Sequence, residues 1–524
     1  MRIGVLPLAS RCVAAFDHSG WRPIRFRAMA WDHGYFSASS YTCGAYRELA
    51  PAWLDFAALL KGHQPPRNQE GETFSYLELG SGMGFGLCLL AAAYPEGRFT
   101  GIDFQPDHIV HSRRLAQRLG LANISFQEAD FLSLAASPGP LAAAQHYVVA
   151  HGIATWISEP LQAALLQLAS VALMPGGIFY CSYNTFPGWL AATAFQHLAN
   201  ELRRGGPHSG QTLKGAAQQL TGLLGSTEAP SALAQAQPAL RAKLAQIPNQ
   251  NAAYLLQEYG NEGWQPLYVA ELHRRCAAHK LRFHASATLP ENFLDLLPAS
   301  VRPVVLAETD PALRQSLQDL AINQSFRRDL FLRGIASSTD SELRQRISSV
   351  MLRLQEAPAT ENYSFTTSFG QVSGAAARYR QLEQALAGGP RSFGQLLEHT
   401  GIALPELAKT VSLLLHAGRI GLDRCANADF NQARQINEQL LELILEGRPY
   451  NHLLAPASGS AVMFSQVEAL ILTGQRRHLG GQELEQHLQQ GLAGLGRSLQ
   501  GEAAEQLTAF AARQPRLQAL GVLP

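Results

Sequence analysis

The chain has 524 residues, a length that predicts two to four domains and a large buried core. Its 42 Lys and Arg residues balance 41 Asp and Glu residues, so we expect no nucleic-acid partner held by phosphate neutralisation. The six cysteines lack the spacing of a disulfide framework or a zinc site, so we expect no bound metal and a cytoplasmic location. No apolar run reaches the roughly 18 residues that a membrane span needs.

Residues 1–28 contain a short apolar patch, which Asp17 and His18 follow at the place where a signal peptide would carry its cleavage site. We therefore predict a loosely ordered N-terminal extension rather than a signal peptide. One explanation for this extension is a start-site artefact, with the true start at Met29.

A glycine-rich turn lies between two apolar patterns. Phe74 to Leu79 has the pattern of a buried strand, and strong helix formers resume from Leu87 to Ala93. The glycines of the turn are Gly80, Gly82, Gly84 and Gly86. A strand-to-helix turn of this kind lets a ligand approach the backbone closely and points a helix N-terminus at it. A tight turn without a ligand is the structural alternative.

The next strand, Arg98 to Phe104, ends in an acid that can accept hydrogen bonds from ribose hydroxyls, Asp103. Dinucleotide-binding proteins have G-x-G-x-x-G in the turn, whereas this chain has E-x-G-x-G-x-G, which begins at Glu78. A carboxylate at this position would repel a pyrophosphate but could pair with an amino-acid ammonium group. A P-loop is excluded because no G-K-[ST] follows. The motif resembles motif I of the class I S-adenosylmethionine-dependent methyltransferases.

Three further strands alternate with helices, and they end near Asp130, at His151 and at Asn184. This alternation predicts an α/β fold with a doubly wound parallel sheet, whose ligand lies at the C-terminal ends of the strands. The resemblance implies S-adenosyl-L-methionine as the cofactor, with its adenine near Asp130 and Phe131. The predicted cofactor-binding residues are Glu78, Gly80, Gly82, Gly84, Asp103, Phe104, Asp130, Phe131 and His151.

Four longer segments carry a narrower resemblance. They are YTCGAYRELAP (41–51), HGIATWIS (151–158), LMPGGIFYCSYNTFPGW (173–189) and YLLQEYGNEGWQPLYVAEL (254–272). These segments are similar to bacterial methyltransferases with a methyltransferase regulatory domain, and in particular to the rickettsial outer-membrane-protein lysine methyltransferases. The resemblance covers about 35–333 and extends more weakly to RPYNHLLAPASGSAV (448–462). Gln257 and Gly260 depart from the His and Leu of the family, whereas Glu258 and Tyr259 agree with it.

The regulatory region contains two strand-like runs, KLRFHASATL and SFRRDLFLRG, which we expect to complete a seven-stranded Rossmann-like sheet. Helical segments dominate from Tyr379 onward, in a rhythm that predicts a winged-helix-like unit. Its second helix has few basic residues, which favours a protein-protein or lid role over DNA binding. The predicted domains are an N-terminal extension (1–28), a methyltransferase core (29–204), a helical insertion (205–250), the regulatory region (251–335), a linker (336–375) and a helical C-terminal domain (376–524).

Methyl transfer is an in-line displacement, for which the enzyme mainly has to hold the nucleophile, the methyl carbon and the sulfur collinear. An amine nucleophile must also lose its proton, which an apolar, aromatic pocket favours by desolvation. The aromatic candidates for such a pocket are Tyr35, Tyr41, Trp156, Tyr183 and Trp189. The predicted catalytic residues are Tyr41, His151, Trp156 and Tyr183, with His151 as a general base or a cofactor contact.

The sequence leaves three functions open. The first is methylation of a protein side chain, with lysine favoured. The second is methylation of a small molecule or a cell-surface component, and the third is a cofactor-binding scaffold without turnover. The absence of an N-P-P-Y or D-P-P-Y run argues against methylation of adenine or glutamine amino groups, and Cys181 lies inside a strand, which argues against cytosine C5 chemistry. The apolar helical insertion is compatible with a homodimer.

Overall fold

The computed structural model describes residues 43–67, 69–204, 209–261, 263–335, 338–356, 363–498 and 502–524. The N-terminal extension predicted at 1–28 and the candidate residues Tyr35 and Tyr41 lie outside the described residues. Across the described ranges, no helix has the length and apolarity that a bilayer crossing needs.

The first part of the fold alternates strands with helices. Its elements are α1 (Pro51–Leu60), β1 (Phe74–Leu79), α2 (Phe85–Ala93), β2 (Gly97–Asp103), α3 (Pro106–Arg118), β3 (Ile124–Glu128), α4 (Phe131–Ala136), β4 (Gln145–Ala150), α5 (Glu159–Ala172) and β5 (Leu173–Asn184). The neighbouring pairs among these five strands are all parallel. The central strands are almost wholly apolar and buried, as expected for a sheet covered on both faces.

A group of helices follows β5: α6 (Leu190–Arg204), α7 (Gly210–Leu223), α8 (Ala232–Ala236), α9 (Pro238–Gln246) and α10 (Ala252–Tyr259). They enclose an apolar core of their own, which includes Leu213, Leu240 and Leu255. This helical unit begins at α6, before the 205–250 range predicted for the insertion. Trp156 and Trp189 belong to the same core, so the unit packs against the loops that follow β4 and β5.

The sheet is completed by two strands from later in the chain. The elements here are α11 (Val269–Ala278), β6 (Arg282–Ser286), α12 (Arg302–Ala307), α13 (Pro311–Ile322) and β7 (Phe326–Leu332). The strand order is β3-β2-β1-β4-β5-β7-β6, and β7 runs antiparallel to both of its neighbours. The predicted seven-stranded Rossmann-like methyltransferase sheet is confirmed. The strand order reverses between β1 and β4, where such folds bind their ligands.

The remaining elements form the C-terminal part. They are α14 (Asp340–Ser348), β8 (Met351–Leu354), β9 (Ser364–Thr367), β10 (Gly370–Ser373), α15 (Ala376–Ala387), β11 (Arg391–Ser392), α16 (Phe393–Thr400), α17 (Leu404–His416), β12 (Ile420–Leu422), α18 (Phe430–Leu445), β13 (His452–Ala455), β14 (Ser460–Met463), α19 (Gln466–Arg476), α20 (Gly481–Gly494) and α21 (Ala503–Ala519). This part is mainly helical, as predicted.

The segment predicted as a linker, 336–375, contains regular secondary structure. It contains α14, whose first turn is closed by a capping box between Thr339 and Glu342. It also contains β8, the central strand of a three-stranded sheet with β11 and β12. These partner strands come 40 to 70 residues later, so local sequence did not indicate the pairing. Helices α15 to α17 lie between β8 and β12 in the chain. The winged-helix interpretation of this segment stays a prediction.

Arg424 attaches the C-terminal part to the methyltransferase core. Its buried guanidinium donates to the Ala93 carbonyl oxygen at 2.6 Å and to Glu70 at 2.9 Å, and it also pairs with Glu96. The same group lies 3.7 Å from the ring centroid of Tyr94, in cation–π contact. One side chain therefore binds a buried carbonyl and two carboxylates at the interface.

We expect Arg424→Ala to destabilise the protein by about 3–5 kcal/mol, because it leaves the Glu96 carboxylate and the buried Ala93 carbonyl without their cation, while Glu70 keeps Arg67. Urea unfolding followed by tryptophan fluorescence would measure the change. Arg434→Ala, which removes an exposed arginine of α18, is the control and should shift stability by no more than about 0.5 kcal/mol. Equal unfolding midpoints for the two variants would contradict this account of the interface.

Candidate functional site

The glycine loop between β1 and α2 has a backbone that only glycine adopts freely. Gly80, Gly82 and Gly84 have φ angles of 74°, 53° and 69°, all in the left-handed region. The amides of Gly80 and Ser81 both donate to the Ile102 carbonyl oxygen, at 2.8 and 2.9 Å. This pair of bonds ties the start of the loop to the end of β2.

Asp103 holds the middle of the loop. Its Oδ2 accepts a hydrogen bond from the Gly82 amide at 2.8 Å, and its Oδ1 accepts from the Gln105 amide at 2.9 Å. His108 Nδ1 lies 3.2 Å from the same Oδ1. The sequence indicated an acid for ribose binding but did not reveal that this carboxylate also fixes the glycine loop.

A cavity opens beside the loop at the C-terminal ends of the strands. Its lining residues are Gly80, Gly82, Asp103, Phe104, His108, Phe131, His151, Ile153, Trp156 and Ile157. Six of the nine predicted cofactor-binding residues are therefore brought together here, along with the predicted catalytic Trp156. Glu78, Gly84 and Asp130 are not among the lining residues.

Gly84 has a packing role. A Cβ atom at this position would lie 2.5 Å from Ser112 Oγ and 2.8 Å from Phe126. The residue caps α2, and its missing side chain lets α2 approach α3 and β3. The cofactor contact of Gly84 stays a prediction.

Asp130 caps a helix. Its carboxylate accepts hydrogen bonds from the Ser133 amide at 2.9 Å and from the Ser133 hydroxyl at 2.6 Å, at the first turn of α4. The capping places the next residue, Phe131, in the cavity wall. Asp130 therefore has a helix-capping role in this structure, and its contact with the adenine stays a prediction.

Glu78 lies half-buried at the end of β1. Burial raises the pKa of its carboxyl to about 8, and the negative charge of Asp103 adds to this shift. Because no cation among the described residues offsets the shift, the carboxyl would lose its proton readily only when a positive group comes near. Its predicted pairing with an amino-acid ammonium stays a prediction.

His151 lies at the end of β4 and takes part in a small polar cluster. Its Nδ1 is 2.9 Å from Ser182 Oγ and 3.0 Å from Tyr180 Oη, and its ring centroid is 4.2 Å from that of Tyr46. Burial lowers the pKa of His151 to about 3, and the charge of Arg328 lowers it further. A neutral imidazole with so low a pKa is a weak general base, which favours the cofactor-contact interpretation.

Tyr183 does not reach the cavity, which contradicts its predicted catalytic position. Its hydroxyl donates to Asp329 at 2.6 Å, and its side chain is fully buried in the core. Side chains alternate along a strand, so the neighbours Ser182 and Asn184 point to the opposite face. The prediction placed Tyr183 by its closeness to the strand end, which does not determine the face.

One carboxylate next to the cavity, that of Glu258, has no role that the sequence indicated. Asn184 Nδ2 donates to Glu258 Oε1 at 2.6 Å, and Glu258 is only 5% exposed. Burial raises the pKa of Glu258, while hydrogen bonds from Asn184 and Trp156 and the charge of Lys243 oppose the rise. Trp156 thus contacts both the cavity and this buried acid. Agreement of Glu258 with the related family was the one signal that could have found it.

The helical unit that contains Glu258 also holds a cluster of aromatic rings. The ring centroid of Trp189 lies 5.8 Å from that of Tyr259 and 5.7 Å from that of Trp264. Lys243 of α9 places its Nζ 4.4 Å from the Trp189 centroid. This aromatic cluster therefore already holds an ammonium group beside a buried carboxylate. Of these three rings, the sequence indicated only Trp189 as a candidate for the acceptor pocket.

Two family models match the chain. Residues 71–237 match a methyltransferase domain, and residues 251–333 match a predicted methyltransferase regulatory domain. The chain is an S-adenosylmethionine-dependent methyltransferase. The methyltransferase assignment confirms the predicted enzyme class and cofactor. The regulatory match includes β6 and β7, so in this methyltransferase the region supplies two strands of the catalytic sheet.

Similar proteins occur in distant bacteria. An uncharacterised Synechocystis protein is 29% identical over 86% of this chain and 90% of its own length. An uncharacterised Rickettsia prowazekii protein is 24% identical over 57% of this chain and 52% of its own length. Two structures of PKMT2 from Rickettsia typhi, one of them in complex with AdoHcy, share the fold with a TM-score of 0.64. Each is 17% identical to this chain, and the match covers 92% of this chain and 99% of theirs.

We expect Asp103→Ala to weaken S-adenosylhomocysteine binding at least tenfold, because the change both removes a ribose acceptor and leaves the Gly82 amide without its acceptor. Isothermal titration calorimetry on the full chain would measure the affinity. Asp107→Ala, an exposed acid in the first turn of α3, is the matched control and should bind normally. An unchanged affinity in Asp103→Ala would show that the cofactor does not bind at this loop.

Proposed function

We propose that this methyltransferase transfers a methyl group to the side-chain amine of lysine in a protein substrate. The observation that carries the proposal is the buried Glu258 carboxylate, which Asn184 and Trp156 orient between the cavity and the aromatic cluster. A buried carboxylate that accepts a hydrogen bond from Trp156, within an aromatic-rich unit, matches the charge of a lysine ammonium.

The cavity residues fit the cofactor. S-adenosylmethionine, when bound, supplies an electrophilic methyl group on a sulfonium. The left-handed glycine loop lets Gly80 and Gly82 approach a ligand closely, Asp103 can accept hydrogen bonds from ribose hydroxyls, and Phe131 offers a ring for the adenine. Glu78 lies behind the loop, where its carboxyl could take an ammonium charge.

The chain must also help the acceptor amine lose its proton. For a lysine of ordinary pKa at pH 7, deprotonation costs about 4–5 kcal/mol. Trp156 and Trp189 lower this cost by excluding water from the amine. Glu258 can orient the amine by accepting a hydrogen bond from it. Its raised pKa also makes Glu258 a better proton acceptor than His151, whose pKa is about 3.

Exposed aromatic side chains favour a macromolecular acceptor over a small molecule. Tyr46, which stacks near His151, is 39% exposed, and Tyr254, whose pKa is raised partly by the charge of Glu258, is 41% exposed. Tyr268 packs on Phe186 and is 47% exposed. Tyrosines of this kind are common in protein-binding surfaces. The similarity to PKMT2 across nearly the whole chain supports the same acceptor class.

The test is to identify the methylated product. The full chain is incubated with a methyl-labelled donor and a lysate of the source organism, and the protein fraction is acid-hydrolysed and analysed by mass spectrometry. Label in N-methyl-lysine is the expected result. Label confined to the small-molecule fraction, or in another amino acid, would refute the proposal, and so would tight cofactor binding without any transfer.

We expect Glu258→Gln to lower the methylation rate at least tenfold without a loss of stability. Burial raises the pKa of Glu258 in the folded protein, so the ionised carboxyl costs stability as the pH rises through that pKa. The neutral Gln removes this cost and can keep the bond from Asn184. Methyl incorporation and thermal melting above pH 7 would measure the two effects.

Glu291→Gln is the matched control for this experiment. Glu291 is also buried, accepts a hydrogen bond from Gln324 at 2.7 Å, and has a pKa raised by burial, but it does not line the cavity. Its variant should keep full activity. If Glu258→Gln stays active, or if both variants lose activity together, Glu258 has no specific role with the acceptor amine.

A further inference from the structure

The C-terminal part reaches the cofactor-binding half of the molecule through Tyr450. This residue precedes β13 and is only 8% exposed. Its ring stacks on Phe85, the first residue of α2, with the centroids 4.7 Å apart and the planes at 29°. The segment that contains Tyr450, RPYNHLLAPASGSAV, has no part in the function proposed above.

His111 of α3 links Tyr450 to the glycine loop. Its Nδ1 lies 2.8 Å from the Met83 carbonyl oxygen, and its Nε2 lies 2.8 Å from Tyr450 Oη. A carbonyl oxygen only accepts hydrogen bonds, so Nδ1 carries the ring proton and donates to Met83. In the neutral ring Nε2 then has a lone pair, which accepts from the Tyr450 hydroxyl. The two contacts therefore have a fixed direction, from Tyr450 through His111 to Met83.

Met83 lies between two of the loop glycines, at a point where the backbone needs support from outside. Asp103 holds the amide of Gly82 at 2.8 Å, and Ser112 Oγ donates to the Gly82 carbonyl oxygen at 3.3 Å. The bond from His111 holds the next carbonyl group along the chain. Glycine-rich backbone loses much entropy when a ligand fixes it, so each bond that orders the loop beforehand favours binding.

We propose that Tyr450 is a positioning residue for the cofactor, through which the C-terminal part sets the affinity of the glycine loop. Tyr450 orients His111, and His111 fixes the Met83 carbonyl group in the conformation that the loop needs. Burial lowers the pKa of His111, which keeps the ring in the neutral form that the bond from Tyr450 requires. This inference depends on the methyltransferase assignment but not on lysine as the acceptor.

The test uses Tyr450→Phe in the full chain, a change that removes the hydroxyl and keeps the ring on Phe85. We expect S-adenosylhomocysteine to bind about three- to tenfold more weakly by calorimetry, the effect of one lost hydrogen bond. Tyr363→Phe is the matched control. Tyr363 is buried, and its hydroxyl donates to Glu383 at 2.6 Å, so its loss should lower thermal stability to a similar extent and leave the affinity unchanged.

His111→Asn separates the two bonds. The asparagine amide nitrogen stands where Nδ1 was and can still donate to Met83, but no atom replaces Nε2. We expect this variant to bind S-adenosylhomocysteine as weakly as Tyr450→Phe does, and the double variant to bind no more weakly than either. In ¹⁵N-histidine spectra, Tyr450→Phe should shift the Nε2 signal of His111, a change that a general loss of stability would not produce.

Several results would overturn the proposal. These are an affinity of Tyr450→Phe within twofold of the wild type, an equal loss in Tyr363→Phe, or losses that simply add in the double variant. Asp103→Ala is carried through the same titrations, because a normal affinity in that variant would mean that the glycine loop is not the cofactor site. Failure of the lysine proposal would leave these affinities unchanged, so the two proposals fail separately.

Discussion

The hydrogen bond from the Gly82 amide to Asp103 is the constraint on which the rest of the site depends. Parallel pairing of β1 with β2 aligns Leu79 with Ile102, so the residue after Ile102 lies beside the first turn of the glycine loop. A buried carboxylate at that point can collect amide donors from both strand ends. The loop conformation, the cavity floor and the supporting contacts of α3 all follow from this one position.

The proposed acceptor side of the site is built from other elements of the fold. Asn184 ends β5, Trp156 follows β4 and Glu258 comes from α10, so two strand ends and the helical unit meet at one buried acid. Trp156 belongs to the apolar core of that unit and also lines the cavity. Packing of the helical unit therefore positions the proposed acceptor side, while the strand ends and α3 position the glycine loop. This division explains how one sheet can serve enzymes with different acceptors.

Local patterns in the sequence located the glycine loop and most of the cavity lining, because β1, the glycines and Asp103 are close together in the chain. They did not indicate the surroundings of Glu258. Tyr183 was misplaced because the face of a strand residue depends on a register that periodicity alone leaves open. Glu258 and Lys243 approach Trp156 and Trp189 only through tertiary packing. The strand β8 was missed for a similar reason, since its partners β11 and β12 are distant in sequence.

The buried acids of the molecule differ in how their charge is compensated. Arg327 and His273 lower the pKa of Asp329 to about 2 despite its burial, and Arg67 opposes the rise in the pKa of Asp55, so the fold supplies the cations for these acids. For Glu78 the charge that acts on its pKa is the negative one of Asp103. A buried carboxyl whose charge no cation of the protein compensates destabilises the folded state. A cation from a ligand would remove that cost, so the electrostatics of β1 favour a ligand with a positive group at the glycine loop.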